Sequence, residues 1–183
     1  HVIAAAETFI GLPEIRVGLI PGAGGCKEML VRMLEWGVHE NARDFFPFAK
    51  NAWEVIFSGR ISSCAQEAFR IGYLRSPPQT FVVLNSDWLI GEAKAEVLDW
   101  LERDWQPMKP RPPFPALGSD GMARFKELIG RLQADEWIGP HDAAIGAELA
   151  RVLCGGDRKS GASITEQDVL DLEREAFLRL CGM

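Results

Sequence analysis

Glu14 lies between Pro13 and Ile15 in the largely apolar stretch Gly11-Leu12-Pro13-Glu14-Ile15-Arg16-Val17-Gly18-Leu19-Ile20, and the chain then turns through Pro21-Gly22-Ala23-Gly24-Gly25. A carboxylate among apolar residues loses solvation. That loss raises a carboxyl pKa toward neutrality, where a general acid or base works best. Glycines allow positive φ and let the backbone approach a ligand closely. The helix expected after them opens with N–H groups that none of its own carbonyls satisfies, a setting that favours anionic ligands. Each feature also has a plainer reading: Glu14 paired with Arg16 at a strand edge, and glycines that do no more than turn the chain between a strand and a helix.

Other chemistries have no footing in the sequence. A dinucleotide fingerprint would place its third glycine at Lys27, and neither a Walker A loop nor a Gly-x-Ser-x-Gly elbow occurs. The four cysteines, Cys26, Cys64, Cys154 and Cys181, form no Cys-x-x-Cys pair. They read as reduced structural thiols of a cytoplasmic protein, not as metal or redox ligands. His39 and His141 have no ligand partner at helical spacing, so no metal is expected. A net charge of −6 on 183 residues disfavours nucleic acid and anionic membranes as partners. No apolar run is long enough to span a bilayer. The six tryptophans are expected in cores and interfaces.

The elements that must position Glu14 follow from local patterning. Val2–Ala6, Thr8–Ile10 and Ile15–Leu19 read as short strands, with helix the alternative for the first since short apolar runs are ambiguous, and the last is stopped by Pro21 and Gly22. Met29, Leu30, Met33 and Leu34 give helical spacing from Gly25 to Trp36, ended by Gly37. Helices are expected over Ala49–Phe57 and, capped at Ser63, up to Ile71. Thr80–Leu84 is a β-branched strand, and Asn85 or Ser86 opens a long helix striped by Leu89, Ala93, Val97, Trp100 and Leu101. Five prolines within Gln106–Pro115 require an extended linker. Beyond it the chain reads as helical, with Gly139-Pro140 as a start and Gly155-Gly156 as a stop. A final helix is marked by Thr165 and Asp168 at capping-box spacing, flanked by Ile164 and Val169. Its apolar face is Val169, Leu172, Ala176, Phe177 and Leu180, and Glu173, Arg174 and Arg179 are expected off that face.

The run from Gly11 to Gly25 resembles the "GLPE…GLIPGAGG" segment of the enoyl-CoA hydratase/isomerase (crotonase) family. Ile56 to Leu74 is similar to that family's later "TG..ISA.EA...GLV" pattern. The resemblance is clear from Val2 to Leu74 and weaker to Trp105. Segments beyond it, such as Leu172-Glu173-Arg174-Glu175-Ala176-Phe177, are similar to the tail of long bacterial 3-hydroxyacyl-CoA dehydrogenases that carry a crotonase module.

The resemblance implies an α/β fold, the C-terminal portion of a crotonase-like ββα spiral, helix-rich, with a helical C-terminal region. It divides the chain into crotonase core at 1–104, Pro-rich linker at 105–118 and helical region at 119–183. It implies a fatty-acid β-oxidation enzyme that hydrates a 2-enoyl-CoA or shifts its double bond through a thioester enolate. Glu14 would be a catalytic carboxylate and Gly22 N–H would orient the water, with Gly24 and Gly25 at the substrate. Coenzyme A enters as substrate, with Lys27, Arg32 and Arg60 as candidate contacts, and NAD belongs only to a separate dehydrogenase domain of the parent. In the family the oxyanion donors and the first catalytic Glu precede the "GLPE" motif. The chain therefore reads as a fragment, inactive alone, that forms a homo-oligomer or associates with its missing N-terminal part. The competing class is a non-catalytic assembly module.

Overall fold

The computed structural model describes residues 1–75, 77, 79–103, 105–107 and 109–182. In chain order these form strand β1 (Val2–Ala5), a 3-10 helix (Pro13–Val17) and helices α1 (Gly25–His39), α2 (Phe46–Phe57) and α3 (Ala65–Ile71). Strand β2 (Thr80–Val83), a one-turn 3-10 helix (Ser86–Trp88) and α4 (Leu89–Glu102) follow. The remainder is β3 (Phe114–Pro115), α5 (Gly118–Ala134), α6 (Pro140–Leu153), β4 (Ser163–Ile164) and α7 (Glu166–Cys181). The protein is thus helix-rich with two small sheets, an α/β composition.

The chain forms two compact units: residues 1–11 with 61–110, and residues 12–60 with 111–183. In the first unit β1 and β2 pair in parallel, Val2 opposite Thr80 through Ala5 opposite Val83. A parallel pair needs a long connection between its strands, and the intervening chain supplies it. Cys64 caps α3, its Sγ accepting from Glu67 N, while the Glu67 carboxylate reaches back to Ser63 N and Oγ at 2.8 and 2.7 Å. The cap therefore lies one residue beyond Ser63. α4 forms where its stripe requires, yet none of its residues is buried. Leu84 and Ile90 are 85% and 79% exposed.

The second unit is a helical assembly with the larger core. α1 packs on α2 and α7, and α6 packs on α2, α5 and α7. Trp53 is fully enclosed: its ring stacks on Phe57 at 4.3 Å between centroids, and its Nε1 donates to Gly146 O at 2.9 Å. An aromatic pair of this kind contributes about 0.5–1.5 kcal/mol beyond its buried area. Trp36, Trp88, Trp105 and Trp137 are exposed, so of these five Trp53 alone is a core residue. The described residues of the Pro-rich stretch lie in no helix or strand until β3, which pairs antiparallel with β4. Asp104 and Met108, a boundary residue and a linker residue of the sequence reading, lie outside the described residues.

Three sequence expectations are corrected. Thr8–Ile10 is not a strand; only a single bridge follows it, Gly11 to Ile61. Ile15–Leu19 is not a strand either. Pro13 presets the first helical position, and Gly18, left-handed at φ 81°, closes the turn by donating to Glu14 O and Ile15 O. Its β-branched residues made it read as a strand, but Val17 faces solvent. Gly37 does not end α1, which continues to His39; a side chain there would meet the Phe45 ring at 2.9 Å.

Candidate functional site

Glu14 sits in the first turn of the Pro13–Val17 helix, half-buried. Its backbone is fixed, the carbonyl accepting from Gly18 N and from Leu19 N at 3.1 Å. Its carboxylate is not: Oε2 is buried and has no hydrogen-bond partner among the described residues. The plainer pairing with Arg16 does not occur, since Arg16 Nη2 donates to Gly59 O at 3.3 Å. A buried carboxylate oxygen without a donor is costly, on the order of 1–3 kcal/mol.

The glycine turn follows directly. Gly24 is the residue before α1 and adopts φ 94°, a left-handed conformation that favours glycine. Gly22 is constrained differently. A Cβ there would lie 2.7 Å from Phe177 Cδ2, so the α7 ring leaves no room for a side chain. Gly25 is closed in by Pro21 and Leu12. Gly22 is solvent-exposed, and its N–H donates to no group among the described residues.

The start of α1 is occupied from a direction the sequence reading missed. Glu173 Oε1 accepts from Gly24 N at 2.6 Å, and Oε2 accepts from Lys27 N at 3.1 Å. Glu173 is only 1% exposed, which corrects the expectation that it lies off the apolar face of α7. The cause is the row of unpaired N–H groups at the helix start, which a carboxylate satisfies in dipole and hydrogen bond together. Burial pushes the Glu173 carboxyl above its ordinary value, against the opposing pull of the N–H groups of residues 24 to 27. The signal was present in the spacing: Val169, Leu172, Glu173, Ala176 and Leu180 make one continuous helical stripe.

Cys26 lies between the two carboxylates electrostatically. Burial, then the charges of Glu173 and Glu14, hold its thiol well above the ordinary cysteine value. Its Sγ donates weakly to Pro21 O at 3.7 Å, so it is an inert packing group, not a nucleophile. Cys154 is pushed up to about 12 by burial. All four cysteines are unpaired.

The candidate CoA cations are placed as follows. Lys27 Nζ pairs with Glu28 and, at 3.0 Å, with Glu166; Arg32 Nη2 pairs with Glu28 at 3.2 Å. Arg60 is exposed on the loop after α2. Arg111 joins the same network through Glu35 at 3.0 Å and Glu166 at 2.8 Å. Glu14, Gly22, Gly24, Gly25 and Lys27 all lie in the second unit. Among the described residues no group of three or more His, Cys, Asp or Glu is arranged to hold a metal ion, and no helix is long and apolar enough to cross a membrane.

No family model matches the chain. It is 34% identical over 183 residues to a protein of Bacillus subtilis (strain 168) named "Probable 3-hydroxyacyl-CoA dehydrogenase". The aligned region is 100% of this chain but 22% of that protein, so the chain spans about a fifth of the relative's length.

Proposed function

We propose that the chain is the C-terminal part of a crotonase-like module in a larger fatty-acid β-oxidation enzyme, and that Glu14 is its proton-transfer group. The observation that carries this reading is the buried, unpartnered Glu14 Oε2, with the unengaged Gly22 N–H in the same unit. The name of the Bacillus subtilis relative supports an acyl-CoA substrate class for the whole protein.

In hydration, the oxygen of water adds to C3 of a 2-enoyl thioester and a proton is delivered to C2. The thioester carbonyl carries the negative charge between the two events. Glu14 holds or moves the proton at Oε2, and Gly22 N–H aims the water. In isomerisation, the same carboxylate removes a proton from C2 of a 3-enoyl thioester, forming the enolate, and returns it to C4, leaving the double bond between C2 and C3. Positioned proton transfer of this kind contributes about 10²–10⁴-fold. Gly24 meets the substrate by close approach of bare backbone, while Gly25, closed in by Pro21 and Leu12, packs the turn behind it. The fragment alone is inactive on this reading, and it works joined to the rest of its polypeptide in a homo-oligomeric, cytoplasmic enzyme.

NAD does not fit this chain. Lys27 stands where a dinucleotide loop needs its third glycine, and the N–H groups that would cradle a pyrophosphate already bind Glu173. Dehydrogenase chemistry belongs to another domain of the parent.

A second reading, a non-catalytic assembly module, is favoured by the same Glu173 contact, which gives the glycine turn a purely structural use. Crotonyl-CoA hydration by the natural polypeptide that carries this segment separates the two. Glu14→Gln abolishes turnover on the catalytic reading and leaves it unchanged on the other.

A further inference from the structure

Glu173 is a buried charge that the chemistry above does not use. A helix start is ordinarily satisfied by the side chain of its own capping residue. Here the capping residue is Gly24, which has no side chain, and the acceptor comes from α7. Both Glu173 oxygens are engaged, one by Gly24 N at 2.6 Å and the other by Lys27 N at 3.1 Å. Four residues further along α7, one helical turn, Phe177 lies against Gly22, leaving no room for a Cβ. One face of α7 therefore grips the turn at both ends, at Gly22 and at Gly24, and between them the backbone has little freedom.

We propose that Glu173 is a positioning residue for the Glu14 site: by holding Gly24 N and Lys27 N while Phe177 seats Gly22, it fixes the direction of the Gly22 N–H. The inference rests on the catalytic reading of Glu14. A carboxylate is required because two oxygens each accept from backbone donors. Glutamine offers one acceptor oxygen and turns an NH2 group toward the remaining N–H groups.

The test uses the natural polypeptide that carries this segment, with crotonyl-CoA as probe and three forms in parallel: wild type, Glu14→Gln and Glu173→Gln. Glu173→Gln is expected to lower kcat about 10- to 100-fold while KM moves less than about threefold, because a misaimed donor costs rate and not binding. Amide hydrogen exchange is expected to quicken at residues 22–27 and to keep wild-type protection in α2 and α6. Wild-type kcat in Glu173→Gln beside an inactive Glu14→Gln overturns the inference and leaves the catalytic reading standing. A wild type that neither hydrates crotonyl-CoA nor shifts the double bond of a 3-enoyl-CoA, or a fully active Glu14→Gln, overturns both. If Glu173→Gln does not fold, Phe177→Leu carries the same test: it keeps the cap and loosens Gly22, so a kcat loss at constant KM supports the proposal and an unchanged kcat overturns it.

Discussion

Glu173 Oε1 accepts a hydrogen bond from Gly24 N at 2.6 Å across 149 residues of sequence. The last helix thereby caps the first, and the turn that carries Gly22 is held by a part of the chain remote from it. Replacing Glu173 by alanine leaves the first N–H groups of α1 without their acceptor. Hydrogen bonds to charged groups contribute about 1.5–3 kcal/mol each. The cost of burying the carboxylate offsets part of this, so Glu173→Ala is expected to destabilise the protein by about 2–4 kcal/mol, read as a lower urea midpoint at unchanged m-value.

Gly22 and Phe177 are coupled sterically. Gly22→Ala puts a Cβ 2.7 Å from Phe177 Cδ2 and is expected to cost about 1–3 kcal/mol, as overpacking does. In a Phe177→Ala background the same substitution has no ring to meet. A double-mutant cycle on thermal or urea unfolding is expected to return a coupling of at least about 1 kcal/mol; strict additivity contradicts the contact.

Acid sensitivity follows from Glu166. Burial alone would raise its carboxyl pKa, but hydrogen bonds and charge from Arg111 and Lys27 outweigh burial and hold it below the ordinary value. A carboxylate depressed on folding contributes stability above its unfolded pKa, and loses it as pH falls through the folded value. Thermal stability is thus expected to drop as pH falls below about 4.3, the ordinary glutamate value. Glu166→Gln is expected to lower Tm at neutral pH and to flatten the acid limb. An unchanged acid limb in Glu166→Gln contradicts the assignment.

The start of α7 is a two-way cap. Asp168 N donates to Thr165 Oγ1 at 3.1 Å, and Thr165 N donates to Asp168 Oδ2 at 2.8 Å. Thr165→Ala is expected to cost about 0.5–2 kcal/mol by chemical denaturation. Loss of this cap also loosens the helix that delivers Glu173.

That capping box was legible because it is local: two residues three positions apart, Thr165 and Asp168, decide it, whatever the rest of the fold does. The same holds for Gly139-Pro140 at the start of α6 and Gly155-Gly156 at its end, and for the helical spacing of Met29, Leu30 and Met33. The strand reading of Ile15–Leu19 failed where two local signals conflicted, β-branched Ile15 and Val17 against Pro13 and Gly18. The turn-forming pair prevailed, since it fixes backbone angles and the branched residues only prefer them. Glu173 was misplaced for another reason. Charge argued for solvent, and the partner that reverses that argument, the open start of α1, lies in a distant part of the chain. Glu14 was singled out by the resembled motif around it, its apolar surroundings alone leaving the plainer reading ahead; that its Oε2 has no partner among the described residues is a tertiary fact, which no spacing in the sequence contains.

The measurement closest to the central claim is crotonyl-CoA hydration by the natural polypeptide that carries this segment, compared with its Glu14→Gln variant. Glutamine keeps the size and shape of the side chain and removes its charge and its capacity to exchange a proton. A loss of kcat of at least about 100-fold, with folding intact by circular dichroism, is the predicted result. Equal turnover by the two proteins contradicts it, and would leave Glu14 a buried structural carboxylate in an assembly module.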